Sequence, residues 1–144
     1  MLSFKSKSAK AQRGFTLLEL LVVLVILGML AALAGPRVMK YISSAKTDTA
    51  QLQIEELAAA LDMYKLEVGR HPNTQEGLQA LVEAPGGAAN WNGPYLKKKT
   101  VPKDPWGVDY LYVSPGQHGA FDLYTHGADG REGGEGEDRD VVSW

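Results

Sequence analysis

Between Phe15 and Ala34 the chain is apolar except at Thr16, Glu19 and Gly28. As a helix rising ~1.5 Å per residue, this stretch spans about 30 Å, the hydrocarbon thickness of a bilayer. Only a structure that satisfies its own backbone can cross lipid, and for a single stretch that structure is a helix. Charge gives the orientation. Lys5, Lys7, Lys10 and Arg13 precede Phe15 with no acidic residue among them, which leaves 11 basic and 17 acidic residues beyond it. A basic head before an apolar run stays on the cytoplasmic side and sends the rest across. The acidic remainder has no basic stripe, so nucleic acid is excluded as a partner.

Three readings of this segment compete. Ala32-Leu33-Ala34 before Gly35 imitates a signal-peptidase site, an uncleaved signal anchor is the second reading, and a leader cut between Gly14 and Phe15 is the third. The first two leave Glu19 unexplained, because a lone carboxylate in an apolar segment costs a few kcal/mol and is rarely left unpaired. The third accounts for it. Gly14 supplies the small residue that a membrane-surface peptidase needs before the cut, and cleavage creates an α-amine on Phe15, one helical turn from Glu19. That amine is mostly cationic at neutral pH. In a bundle of such helices, Glu19 of one chain pairs with the Phe15 amine of a neighbour and fixes its depth. The plainer alternative is that Glu19 caps its own helix.

The helical pattern continues beyond the lipid. Ala50, Ile54, Leu57, Leu61, Tyr64 and Val68 recur at alternating steps of four and three, the stripe of an amphipathic helix. Gly69 stops it and Pro72 follows. One helix is therefore expected from about Phe15 to about Val68, with a break, either a kink or local melting, at Gly35-Pro36.

Asn73-Thr74-Gln75-Glu76 reads as a capping box opening a short helix through about Glu83, with Leu78, Leu81 and Val82 inward. Residues 84–94 are loop-like. Asp109–Val113 and Ala120–Thr125 are strand-like, joined by a turn over 114–119. Lys97-Lys98-Lys99 is the one basic cluster beyond the leader, read as a solvated loop with a subunit or head-group contact as the lesser reading. The aromatic residues Trp91, Trp106, Tyr110, Tyr112, Phe121 and Tyr124 suit the core and edges of a small sheet. The chain has no cysteine, which removes disulfides, thiol nucleophiles and cysteine-held zinc. His71, His118 and His126 have no metal spacing and no neighbouring serine or acid dyad in sequence, so no catalytic set is visible.

Gly14-Phe15-Thr16-Leu17-Leu18-Glu19-Leu20 after a short basic leader resembles the signature of type IV pilins and pseudopilins. More narrowly, the chain is similar to the major pseudopilins of type II secretion systems. That likeness runs through residues 60–66 and 75–82, Asp104-Pro105-Trp106-Gly107, residues 114–119, and Gly127-Ala128-Asp129-Gly130. The resemblance implies cleavage after Gly14 by a prepilin peptidase and N-methylation of Phe15. It also implies self-assembly into a filament by an inner-membrane platform and a cytoplasmic ATPase, in company with minor pseudopilins. Pilins of the true type IV class usually close a loop with a disulfide, which this chain cannot do.

Residues 127–140 hold Asp129, Glu132, Glu135, Glu137, Asp138 and Asp140 against Arg131 and Arg139. Hard oxygen donors on a glycine-rich turn are what Ca²⁺ takes, although a solvated acidic tail has the same composition. An EF-hand is excluded, since Arg131 and Gly133 fall where oxygen donors are needed. The resemblance implies a calcium loop here, with the side chains of Asp129, Asp138 and Asp140 and the carbonyls of His126 and Arg131 as ligands; among Glu137, Asp138 and Asp140 the assignment stays open.

The expected fold is α+β and pilin-like: a long N-terminal helix, transmembrane in its first half, packed on a small antiparallel sheet. The expected organisation is a cleaved leader over 1–14, a transmembrane assembly helix over 15–35, and a periplasmic domain over 36–144. The expected function is that of a non-enzymatic filament subunit in the inner membrane. Alternatives are a type IV pilin, a minor pseudopilin, or a membrane-anchored periplasmic binding or enzymatic domain.

Overall fold

A computed structural model describes residues 14–144; the leader lysines and Arg13 lie outside the described residues. The helix α1 (Leu17–Val68) is followed by a 3₁₀ turn (Leu78–Leu81) and by strands β1 (Leu111–Val113), β2 (Asp122–Thr125) and β3 (Val141–Val142). A further short 3₁₀ turn covers Gly136–Asp138. The chain divides into two compact units, one through Met39 and one from Lys40 to Trp144.

Among the described residues of the first unit, none of the helix is buried. Its most apolar window has a mean hydropathy of 2.8 and no buried residue, and the helix is long and apolar enough to cross a membrane. Pro36 lies inside α1 and helical geometry continues through Gly35 and Pro36, so the expected melting does not occur. The proline forfeits one bond, the one its missing N–H would give to the Ala32 carbonyl, and turns on both sides keep theirs.

The second unit carries the core. Ala50, Ile54, Leu57, Leu61 and Tyr64 are buried as the stripe requires, and Val68 is partly buried beside them. Each fully buried large side chain contributes about 1.5–3 kcal/mol, so packing, more than helix propensity, holds this part of α1. Gly69 closes the helix, its N–H donating to the Lys65 carbonyl at 2.8 Å.

Asn73 and Glu76 form the reciprocal capping box: Asn73 N–H donates to Glu76 Oε2 at 2.8 Å, and Glu76 N–H to Asn73 Oδ1 at 2.9 Å. The α-helix expected behind it through Glu83 is only the 3₁₀ turn Leu78–Leu81. Gly77 explains this, because its φ of +58° takes the backbone out of the helical basin immediately after the box. Leu78 and Leu81 still point inward, and Val82 is half-buried. Glu76 also receives the Arg70 guanidinium at 2.6 and 2.7 Å. That fork holds the Glu76 carboxyl below its ordinary range, against the burial that pushes it up.

The sheet is antiparallel in the order β1-β2-β3, with Tyr112 opposite Leu123 and Thr125 opposite Val141. Both expected strands are shorter than their apolar runs, beginning two residues later, at Leu111 and Asp122. The third strand was not foreseen. Two valines directly after an acidic, glycine-rich stretch carry no strand period, and only pairing with β2 makes them a strand. Tyr112 and Leu123 face α1, and the Tyr112 hydroxyl reaches the Pro72 carbonyl at 2.8 Å. Across the helix–sheet packing, the Tyr110 hydroxyl donates to Gln53 Oε1 at 2.6 Å, and burial pushes that phenol's pKa up.

Candidate functional site

Gly14 and Phe15 precede the first turn of α1 and are exposed, Phe15 at 88 %. The backbone at the Gly14–Phe15 bond is non-helical. Thr16 then caps the helix. Glu19 Oε2 accepts from the Thr16 N–H at 2.9 Å and from its hydroxyl at 3.1 Å, while Glu19 N–H donates to Thr16 Oγ1 at 3.2 Å. This reciprocal box is the plainer alternative for Glu19, and in the lone, uncut chain it is what the carboxylate does. Phe15 here has an amide nitrogen and no ammonium to offer. The box engages Oε2, and among the described residues Oε1 has no hydrogen-bond partner. Around it Leu17, Leu18, Leu20 and Leu21 are all more than half exposed. A carboxylate with a spare oxygen thus stands one turn from the Gly14–Phe15 bond in an apolar surface that none of the other described residues covers.

The acidic loop closes on itself through backbone. Ala128 N–H donates to the Glu137 carbonyl at 2.8 Å, and a Cβ on Gly127, whose φ is +68°, would collide with that same carbonyl. Its donors are right in kind for calcium, but they are not gathered. Among the described residues no group of three or more His, Cys, Asp or Glu side chains is placed to hold a metal ion. Asp140 accepts from Gly133 N–H at 2.9 Å through one oxygen and faces His126 Nδ1 at 3.1 Å with the other. Asp129 accepts from the Arg131 N–H at 3.1 Å, and Asp138 is exposed. The arrangement as it stands is an internally bonded loop, not a cage.

Each histidine, unpromising in sequence, faces an aspartate: His71–Asp62 at 3.3 Å, His118–Asp122 at 3.1 Å and His126–Asp140 at 3.1 Å. The separations of 9, 4 and 14 residues carry no signal short of the fold. Among the described residues no serine or threonine hydroxyl bonds to any of these rings. The pairs orient loops: the Asp122 carboxylate also accepts from the Gln117 and His118 N–H groups, tying down the turn before β2.

With this geometry in hand, comparison with known proteins is direct. Residues 37–144 match the family model for type II secretion system protein G, and residues 9–35 match the prokaryotic N-terminal methylation motif. The chain is 52 % identical to the type II secretion system core protein G of Pseudomonas aeruginosa, covering 94 % of this chain and 96 % of that protein. It is 47 % identical to the core protein G of Vibrio cholerae, over 96 % and 95 %. The crystal structure of the major pseudopilin of the type 2 secretion system of enterohaemorrhagic Escherichia coli is similar at 33 % identity with a TM-score of 0.62, covering 74 % of this chain and 92 % of that one.

Proposed function

The chain belongs to the type II secretion system protein G family, the major pseudopilins, and we propose that it is the repeating subunit of a short filament raised from the inner membrane into the periplasm to help drive folded proteins through an outer-membrane secretin. The family is a structural, non-enzyme kind of protein, and the names its relatives carry favour this reading over a type IV pilin, a minor pseudopilin or an anchored binding domain. One observation carries it: a single carboxylate, Glu19, in the otherwise apolar and exposed first half of α1, one turn beyond an exposed Gly14–Phe15 bond.

The sequence of events follows from charge. A prepilin peptidase cuts after Gly14, the new Phe15 amine is methylated, and the ammonium so formed needs an anion where lipid supplies none. Glu19 of an incoming subunit meets it. Buried pairs are better at setting register than at adding stability, which suits a contact that measures how deep each subunit sits. The inner-membrane platform, its assembly ATPase and the minor pseudopilins complete the proposed set of partners. Mass spectrometry of the mature protein tests the first step: the chain is expected to begin at methylated Phe15. A chain beginning at Gly35 contradicts this function.

Calcium is proposed as a ligand of the loop over 127–140. The acid excess and the glycine-rich backbone support it, and binding requires Asp140 to exchange its present partners for the ion. The expected outcome is a higher unfolding midpoint on adding Ca²⁺, worth about 2.7 kcal/mol at 100 times the dissociation constant. A midpoint indifferent to Ca²⁺ and to chelator removes the site.

A further inference from the structure

Lys97, Lys98 and Lys99 are all exposed, and among the described residues none joins an ion pair. Lys99 has a φ of +52°, the only positive value at a non-glycine position among the described residues, in a turn closed by its N–H on the Leu96 carbonyl at 3.1 Å. Glycine would take that conformation freely, and lysine does not. Strained residues of this sort collect where a surface has a task. Lys99 and Val101 also line an open groove of about 640 Å³ shared with Val82, Tyr110 and Leu111. Glu83 and Asp109 border the same groove, Asp109 lying 3.4 Å from Lys103.

The same chain carries a fitting counterpart. Glu132-Gly133-Gly134-Glu135-Gly136 has only two side chains, both exposed carboxylates outside the proposed calcium set, and among the described residues neither is in an ion pair. Glycines at three of its five positions make the segment slender. Glu137 beside it is already 3.8 Å from Lys46. We propose that Glu132–Gly136 of one copy seats on the Lys97–Lys99 turn and its groove in the next copy. The inference rests on the filament reading above. Two different patches on identical chains make a heterologous contact, which repeats without closing and so suits an open polymer. Exposed ion pairs add little each, so this contact would set the rotation between neighbours and confer salt sensitivity, leaving the main adhesion to the apolar helices.

The absence of native cysteine makes the test clean. Lys98→Cys together with Glu132→Cys, in the full chain and oxidised in assembled filaments, is expected to give a ladder of dimers, trimers and higher species. Either substitution alone should leave monomer. Filaments without a ladder overturn the contact and leave the filament reading intact, whereas absence of filaments from the unsubstituted chain overturns that reading. A ladder equally strong with Glu19→Ala added also overturns the contact, since it then forms without assembly. In a second arm, Lys98→Glu with Lys99→Glu should lower filament yield several-fold, and adding Glu132→Lys with Glu135→Lys should restore it. Unrestored loss overturns the proposal. So does unchanged filament yield with lost binding to anionic phosphatidylglycerol vesicles, which assigns the lysines to lipid.

Discussion

Glu19→Ala is expected to leave the chain cut at Gly14–Phe15, methylated and inserted, and to abolish filaments. The proposed cut site is exposed backbone that does not involve the Glu19 side chain, and removing an acid makes the apolar helix a better membrane span. Assembly is different. Removing one member of a buried ion pair costs about 3–5 kcal/mol, because the other charge stays behind without a partner. At ~1.4 kcal/mol per factor of ten, that is a loss of at least a hundredfold in the affinity of each subunit for the growing end. A polymer multiplies such a penalty at every contact. Normal filaments from this variant, seen by shear release and immunoblotting, would refute the pairing.

The capping box at Thr16 makes a sharper comparison available. Gln at position 19 keeps the cap, since an amide oxygen accepts from Thr16 as well as a carboxylate does. If Glu19 matters only as a cap, Glu19→Gln assembles normally. If it matters as a charge, Glu19→Gln fails like Glu19→Ala. Thr16→Val gives the converse, removing the hydroxyl from the box while keeping the acid. It costs about 1 kcal/mol of helix stability and spares assembly if pairing governs.

Most of α1 was legible in the sequence because two simple periodicities specify it: a lipid-length apolar run and a stripe at alternating steps of four and three. Every residue from Ala50 to Tyr64 named on that stripe is buried. The capping box at Asn73 was legible for the same reason, as its partners lie three residues apart. What lay behind it was not, since one glycine at positive φ cancels a helix that local pattern favours. β3 and the three His–Asp pairs were illegible for a different reason. β3, His71–Asp62 and His126–Asp140 join residues that only the folded chain brings together, and His118–Asp122, four residues apart, lies in a turn where no local period marks it. At the proposed assembly site the residues are readable in the sequence together with both roles open to Glu19, but which role holds depends on a neighbour and a cut. The acidic loop shows the opposite limit: its composition suggests calcium, while the bonds that Asp129 and Asp140 make to their own loop follow from backbone geometry.

The second large effect is expected at Asp104, in the Asp104-Pro105-Trp106-Gly107 turn that the resemblance singled out. This carboxylate is 4 % exposed. Its Oδ1 accepts from the Trp106 N–H at 3.0 Å and the Val108 N–H at 2.8 Å, and its Oδ2 accepts from the Thr125 hydroxyl at 2.5 Å. One side chain thereby fastens the turn before β1 to β2, with no cation beside it in an ion pair among the described residues. Asp104→Ala strands three donors, and Thr125 is itself 2 % exposed, with little water at hand. At about 1–3 kcal/mol for each orphaned group, the loss is at least about 3 kcal/mol, a large share of a small domain's stability. Asp104→Asn should be far milder. Its amide oxygen keeps both backbone donors, its NH₂ faces Thr125, and a hydroxyl can turn to accept where it formerly donated. Urea unfolding followed by tryptophan fluorescence distinguishes the cases: Ala far below Asn, and Asn within about 1.5 kcal/mol of the parent. Equal midpoints for Ala and Asn would mean that the turn is held by packing around Trp106 and that the carboxylate's three bonds are incidental.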